Sequence, residues 1–159
     1  MKQLTPTVIG YKDFAEIVDI TDPCYNREVW CRLNGIKIKA GNYKCVVWMR
    51  PDTVTYEGKT YDDTRVAIIG IYLDGLIPNE NHMKEIGEIG VDAGLAGFFN
   101  NKPDYDNDQW SEFCNSIRNG DAWIKEEGFF SSSGYGDGCY PVRAFKINDE
   151  IVALEIKFI

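Results

Sequence analysis

Short segments in which apolar and polar residues alternate recur along this chain, and they predict strands. Residues 7–14 and 15–20 open the series, the second setting Ile17, Val18 and Ile20 around charges. It ends at Thr21-Asp22-Pro23-Cys24-Tyr25, where an aspartate before proline is extended or in a turn. Residues 29–33, with Trp30 and Cys31, read as a short strand. Asn34-Gly35 is a two-residue hairpin signal leading into 36–39, and Gly41-Asn42 turns into 43–50. The CVVWM run in 43–50 and RVAIIGIYL at 65–73 are apolar enough for central strands. Residues 51–63 between them are polar and read as a hairpin loop or exposed extension.

Residues 74–82 form a loop, 85–91 alternate as a strand with one wet face, and 95–99 follow after Asp92-Ala93-Gly94. One helix is predicted near residues 106–119. Trp110, Phe113, Cys114 and Ile117 fall at helical spacing on one face. Asp106 or Asn107 would cap its start, and Asn119-Gly120 would close it. Residues 122–125 fit either type of element. Strands at 128–132, 140–147 and 151–159 complete the chain. The sum is a single domain, 1–159, mainly β. An antiparallel sandwich or open barrel of about eight to ten strands carries one packed helix.

Composition narrows the function. The 159 residues carry a net charge of −8, with no clustered Lys and Arg of the kind that neutralises phosphates. A nucleic-acid partner is therefore not expected, and the acidity reads first as a solubility feature. No apolar run approaches a membrane span or a signal peptide, so neither membrane nor export is expected. Five cysteines without a CxxC pair read as free thiols of a cytoplasmic protein.

The richest chemistry lies at Phe129–Val142, FFSSSGYGDGCYPV. This is neither a P-loop nor a dinucleotide fingerprint, since no Gly-Lys-Ser/Thr and no helix follows. It reads either as a wide hairpin turn with Asp137 bonding its own backbone, or as a nest of N–H groups for an anion. In the second case Ser132, Ser133, Gly134, Gly136 and Gly138 supply donors. Tyr135, Tyr140 and Trp30 would stack on a ligand, Tyr25 would stand beside Asp22, and Arg143 would add a positive charge. Asp22 and Asp92 end apolar strands, where loops carry function. With Asp137 they could hold Ca²⁺ or Mg²⁺ through oxygen ligands, or each could cap a turn. Asp104-Tyr105-Asp106-Asn107-Asp108 lacks the sixth-position glycine and closing glutamate of a calcium loop and reads as a helix cap. His82, the only histidine, stands in no nucleophile motif.

Four stretches form a set: ITDPCY at 20–25, VWC at 29–31, GVDAGLAGFF at 90–99 and SSSGYGDGCYPV at 131–142. In order and wording they resemble a family of small uncharacterised proteins found in bacteria and their phages. Its members carry DPCY, VDxG and SSSGYGDGxYP elements and a C-terminal strand. The chain departs from that pattern at 96–100, AGFFN, where a closing aspartate is expected. The resemblance implies a cytoplasmic protein of bacterial or phage origin and brings no established activity. Its context is host defence, where small phage domains sequester nucleotide-derived signals or host proteins. The chain thus reads as a non-enzymatic binding domain for a small anionic, nucleotide-derived ligand. The alternatives are a protein-interaction module, such as an immunity or inhibitor protein, and a metal-dependent hydrolase on Asp22, Asp92 and Asp137.

Overall fold

The two near-continuous apolar runs become β4 (Gly41–Arg50) and β7 (Arg65–Leu73), antiparallel neighbours inside a six-stranded sheet. Apolar side chains on both faces suit them to a position covered on both sides. The computed structural model describes residues 3–159. The remaining strands of this sheet are β1 (Thr5–Phe14), β8 (Lys84–Val91), β12 (Gly138–Ile147) and β13 (Glu150–Lys157), in the order β1-β4-β7-β13-β12-β8. A five-stranded sheet holds β2 (Ile17–Thr21), β3 (Leu33–Lys37), β9 (Leu95–Phe99), β10 (Ala122–Ile124) and β11 (Gly128–Ser132), in the order β10-β11-β9-β2-β3. β5 (Thr53–Tyr56) and β6 (Lys59–Asp62) form a separate hairpin.

The two large sheets pack face to face as an antiparallel sandwich that does not close into a barrel. Phe14, Tyr43, Ile71, Ile89, Phe98, Phe129, Val142 and Leu154 meet between them. Among the described residues the strands number thirteen, above the expected eight to ten, in part because the exposed segment 51–63 folds as the β5–β6 hairpin, all of whose strand residues face solvent. The helix, α1 (Asn107–Asn115), covers the outer face of the five-stranded sheet through Phe99, Phe113 and Phe130. Asp106 and Gln109 form a capping box at its start. It stops earlier than 119, where Ser116 Oγ donates back to Phe113 O at 2.7 Å. Cys114, expected on the packed face, is exposed.

Two turn readings need correction. Asn34-Gly35 is not a hairpin turn: both residues lie within β3, opposite Asp19, where the β2–β3 register shifts. Gly35 takes φ +66° there, as a bulge requires, and donates its N–H to Asp19 Oδ1 at 2.8 Å. Residues 29–32 are accordingly turn, not strand, and belong to the long loop joining β2 to β3. The glycine stretch is not a hairpin turn either. β11 and β12 lie in different sheets, so residues 133–137 cross from one sheet to the other.

Candidate functional site

At one end of the sandwich the three sequence elements do converge. β8 leaves the six-stranded sheet and enters the other as β9 through Asp92-Ala93-Gly94. The glycine stretch makes a second crossing beside it, with Gly138 opposite Val91 and Ser132 opposite Leu95. Asp22, fully buried at the end of β2, ties them together. Its Oδ2 accepts from Asp92 N at 2.7 Å and Ala93 N at 2.6 Å, and its Oδ1 from Cys24 N at 2.8 Å.

That arrangement engages several of the groups expected to bind a ligand. Ser132 N donates to Asp121 O, Ser133 N to Gly94 O and Gly136 N to Ser133 O. The hydroxyls of Ser131, Ser133 and Tyr140 also reach backbone carbonyls, at 2.9, 2.8 and 2.6 Å. Arg65 donates to Gly134 O and lies 4.6 Å from the centre of the Tyr135 ring. Three N–H donors on Asp22 take up three of its roughly four lone-pair directions. Among the described residues no group of three or more His, Cys, Asp or Glu is placed to hold a metal ion. Asp92 and Asp137 are exposed. Burial, reinforced by Asp22, pushes the Cys24 thiol up to about 12, which disfavours the thiolate needed for attack. Tyr25 packs into the same loop, its phenol raised by burial and by its bond to Cys31.

A buried network that sequence reading missed stiffens this loop. Asp19 Oδ2 accepts from Arg27 Nη1 at 2.7 Å and Arg32 Nη2 at 3.3 Å. Arg32 also holds Tyr25 O and Asn34 Oδ1. Trp30 rides on the loop 89% exposed, and among the described residues it makes no ring contact with Tyr135 or Tyr140.

Arg143 is separated from the rest of the predicted set. On β12 the side chains of Tyr140, Val142 and Ala144 face the core, so Arg143 projects from the outer face of the sheet. There it lines a cleft of about 750 Å³ with Trp48, Arg50, Ile68, Glu80, Glu155 and Lys157. The cleft's floor follows from the strand register. Trp48, Ile68 and Lys157 are successive partners across β4, β7 and β13, and Val46, Gly70, Glu155 and Arg143 form the next row. With strands about 4.8 Å apart, the Trp48 and Lys157 backbones stand roughly 10 Å from each other.

A chain of polar contacts crosses that floor. Trp48 Nε1 donates to Tyr72 Oη at 2.9 Å, and Tyr72 Oη donates to Glu155 Oε2 at 2.5 Å. Arg143 Nη2 donates to Glu155 Oε1 at 2.7 Å, and its Nη1 to Glu80 Oε1 at 3.1 Å. Gly70 makes room for it, since a Cβ there would lie 2.2 Å from Tyr72 Oη. Burial, then the neighbouring Glu155 charge, raises the Tyr72 phenol far above its ordinary value, so it stays a donor. Arg143 Nε is buried without a partner, the one such side-chain atom among the described residues. Buried charge on an outer sheet face, beside an open cleft, marks a functional site better than it marks stability.

No family model, curated protein or solved structure matches the chain. The sequence did carry a signal for the cleft. Ala153, Glu155 and Lys157 stand at alternate positions of an otherwise apolar strand, as Trp48 and Arg50 do on β4. Charges recurring on one face of two central strands point to a site on that face.

Proposed function

We propose that this protein is a non-enzymatic binding domain for a small anionic ligand with a planar ring, of the nucleotide kind, held in the outer-face cleft. The observation that carries this reading is the pairing of Trp48 with Arg50 and Lys157 in one cleft. Arg50 and Lys157 hold no ion pair or side-chain hydrogen bond among the described residues, so their charges are available to an acidic group. Arg143, by contrast, is matched by Glu155 and Glu80. A ring lies against Trp48 while a phosphate or carboxylate meets the two free cations. Exposed Glu80 accepts from a hydroxyl or ring N–H. The cleft's size suits a small molecule of this type.

Isothermal titration against a panel of nucleoside monophosphates tests the reading. Micromolar binding is expected, reduced about tenfold or more in Arg50→Ala with Lys157→Ala and retained in Gly136→Val, which alters only the crossing loop. Heat from no member of the panel, or binding lost in Gly136→Val alone, would contradict it.

A second reading, protein interaction, is favoured by Trp30. A tryptophan 89% exposed on a loop braced by buried ion pairs has the form of an interface anchor. Salt-sensitive complex formation with a purified basic partner, abolished by Trp30→Ala, would support it.

A further inference from the structure

The segment 74–83 runs over the outer face of the six-stranded sheet, where Met83 packs on Val46, Tyr72 and Ala153. The cleft described above opens on one side of this strap. On the other side lies a separate groove of about 600 Å³, lined by His82, Lys84, Ile86, Ala144, Phe145 and Lys146. Two departures from regular strand pairing fall beside its lining residues. Along β8 the partners pass from Val142–Gly87 to Arg143–Glu85, so Ile86 is the extra residue of a bulge. Along β13 they pass from Phe145–Ala153 to Lys146–Ile151, which leaves Val152 extra. Bulges re-aim side chains and gather beside binding sites. Ile86, 37% exposed, and Phe145 both line the groove. His82 stacks on Phe145 with ring centroids 6.2 Å apart and planes 22° apart, which fixes the imidazole at the groove wall.

The charge of the groove runs against that of the chain. The protein carries −8, yet the lining holds two lysines and the histidine and no carboxylate. Lys84 and Lys146 have no ion pair or side-chain hydrogen bond among the described residues. Glu80, on the same turn as His82, is drawn to the other side of the strap by Arg143. An apolar trough of Ile86 and Phe145 under two unmatched ammonium groups complements a molecule with one apolar body and one acidic head. We propose that this groove is a second binding site, specific for a free amphiphilic carboxylate, and distinct from the Trp48 cleft.

Titration of the ¹⁵N-labelled full chain with sodium octanoate tests the proposal, with octylammonium as the control. Octanoate is expected to move the amide resonances of residues 82–86 and 144–146 with a Kd below about 1 mM, and octylammonium to leave them in place. Lys84→Gln with Lys146→Gln, both exposed and away from the core, is expected to weaken octanoate about tenfold at an unchanged melting temperature. Arg50→Ala with Lys157→Ala is expected to leave it unchanged. Equal shifts with octylammonium, no shift at these residues, or full affinity in the double lysine variant would each overturn the proposal. So would octanoate shifts centred on Trp48, which would give the carboxylate to the other cleft.

Discussion

Glu155 and Arg143 are direct cross-strand partners, and Arg143 Nη2 reaches Glu155 Oε1 at 2.7 Å on a sheet face where the next row is Tyr72, Ala153 and Phe145. Both side chains are largely withdrawn from water, Arg143 at 13% and Glu155 at 8% exposure. Breaking such a pair strands a buried charge, so Glu155→Gln and Arg143→Met are each expected to cost about 3–5 kcal/mol. Urea unfolding of both singles and the double variant checks this. The double is expected to fall short of the summed costs by more than about 1 kcal/mol; strict additivity would show that the pair contributes nothing jointly.

Gly70 serves the same network from below. A methyl group at this position would meet Tyr72 Oη at 2.2 Å and push the phenol off Glu155 and Trp48. Gly70→Ala is expected to cost about 1–3 kcal/mol and to shift the Trp48 fluorescence, which loses its indole hydrogen bond. An unperturbed spectrum at wild-type stability would contradict this placement.

Asp22 acts as a clasp between chain crossings. Asparagine in its place keeps one accepting oxygen and turns an NH₂ toward backbone donors, leaving at least one N–H of Cys24, Asp92 or Ala93 unmatched. Asp22→Asn is expected to cost about 1–3 kcal/mol while ligand affinity in the Trp48 cleft stays within error. Ca²⁺, Mg²⁺ and Mn²⁺ are expected to leave the wild-type melting temperature unchanged. Stabilisation by any of these ions would overturn the clasp assignment.

Alkaline pH tests the buried acids. Burial pushes the Cys24 thiol from 9.0 up to about 12 and raises the Tyr72 phenol as well. Their folded values exceed the unfolded ones, so the unfolded chain loses these protons first. The stability they contribute is fully present below about pH 9 for Cys24 and below about pH 10 for Tyr72, and is lost as pH rises beyond. Lys102 and Arg32, both lowered by burial, work in the opposite sense. The wild type is therefore expected to weaken between about pH 9 and 11. Its advantage over Tyr72→Phe is expected to narrow only above about pH 10. A gap that stays constant in urea midpoints would refute the Tyr72 part.

Much of the fold was legible in the sequence, and the reason is visible in β7: nine residues, RVAIIGIYL, buried on both faces, leave no other reading. The helix was legible because Trp110 and Phe113 share one face and Asp106 supplies a cap. Asn34-Gly35 misled because a left-handed glycine serves a bulge as well as a hairpin, and Asp19, sixteen residues before Gly35, decides which. Asp22, Asp92 and the glycine stretch were singled out in the sequence, but whether they converge was open until the strand order was known. Their chemistry was open too, because whether an N–H faces a ligand or a neighbouring carbonyl depends on strand order. Arg143 was chosen for its charge and assigned to the wrong company, since its face of β12 becomes evident only once Tyr140 and Val142 are seen in the core.

The four tryptophans divide the surface in a way that one titration can read. Trp48 lines the outer-face cleft, Trp30 stands on the loop between β2 and β3, and Trp110 and Trp123 pack around the helix. In a ¹H–¹⁵N spectrum titrated with a nucleoside monophosphate, the Trp48 indole resonance is predicted to move in a saturable way while the other three stay fixed. Movement of Trp30 alone, or of no indole at all, would contradict the assignment of the ligand to the cleft.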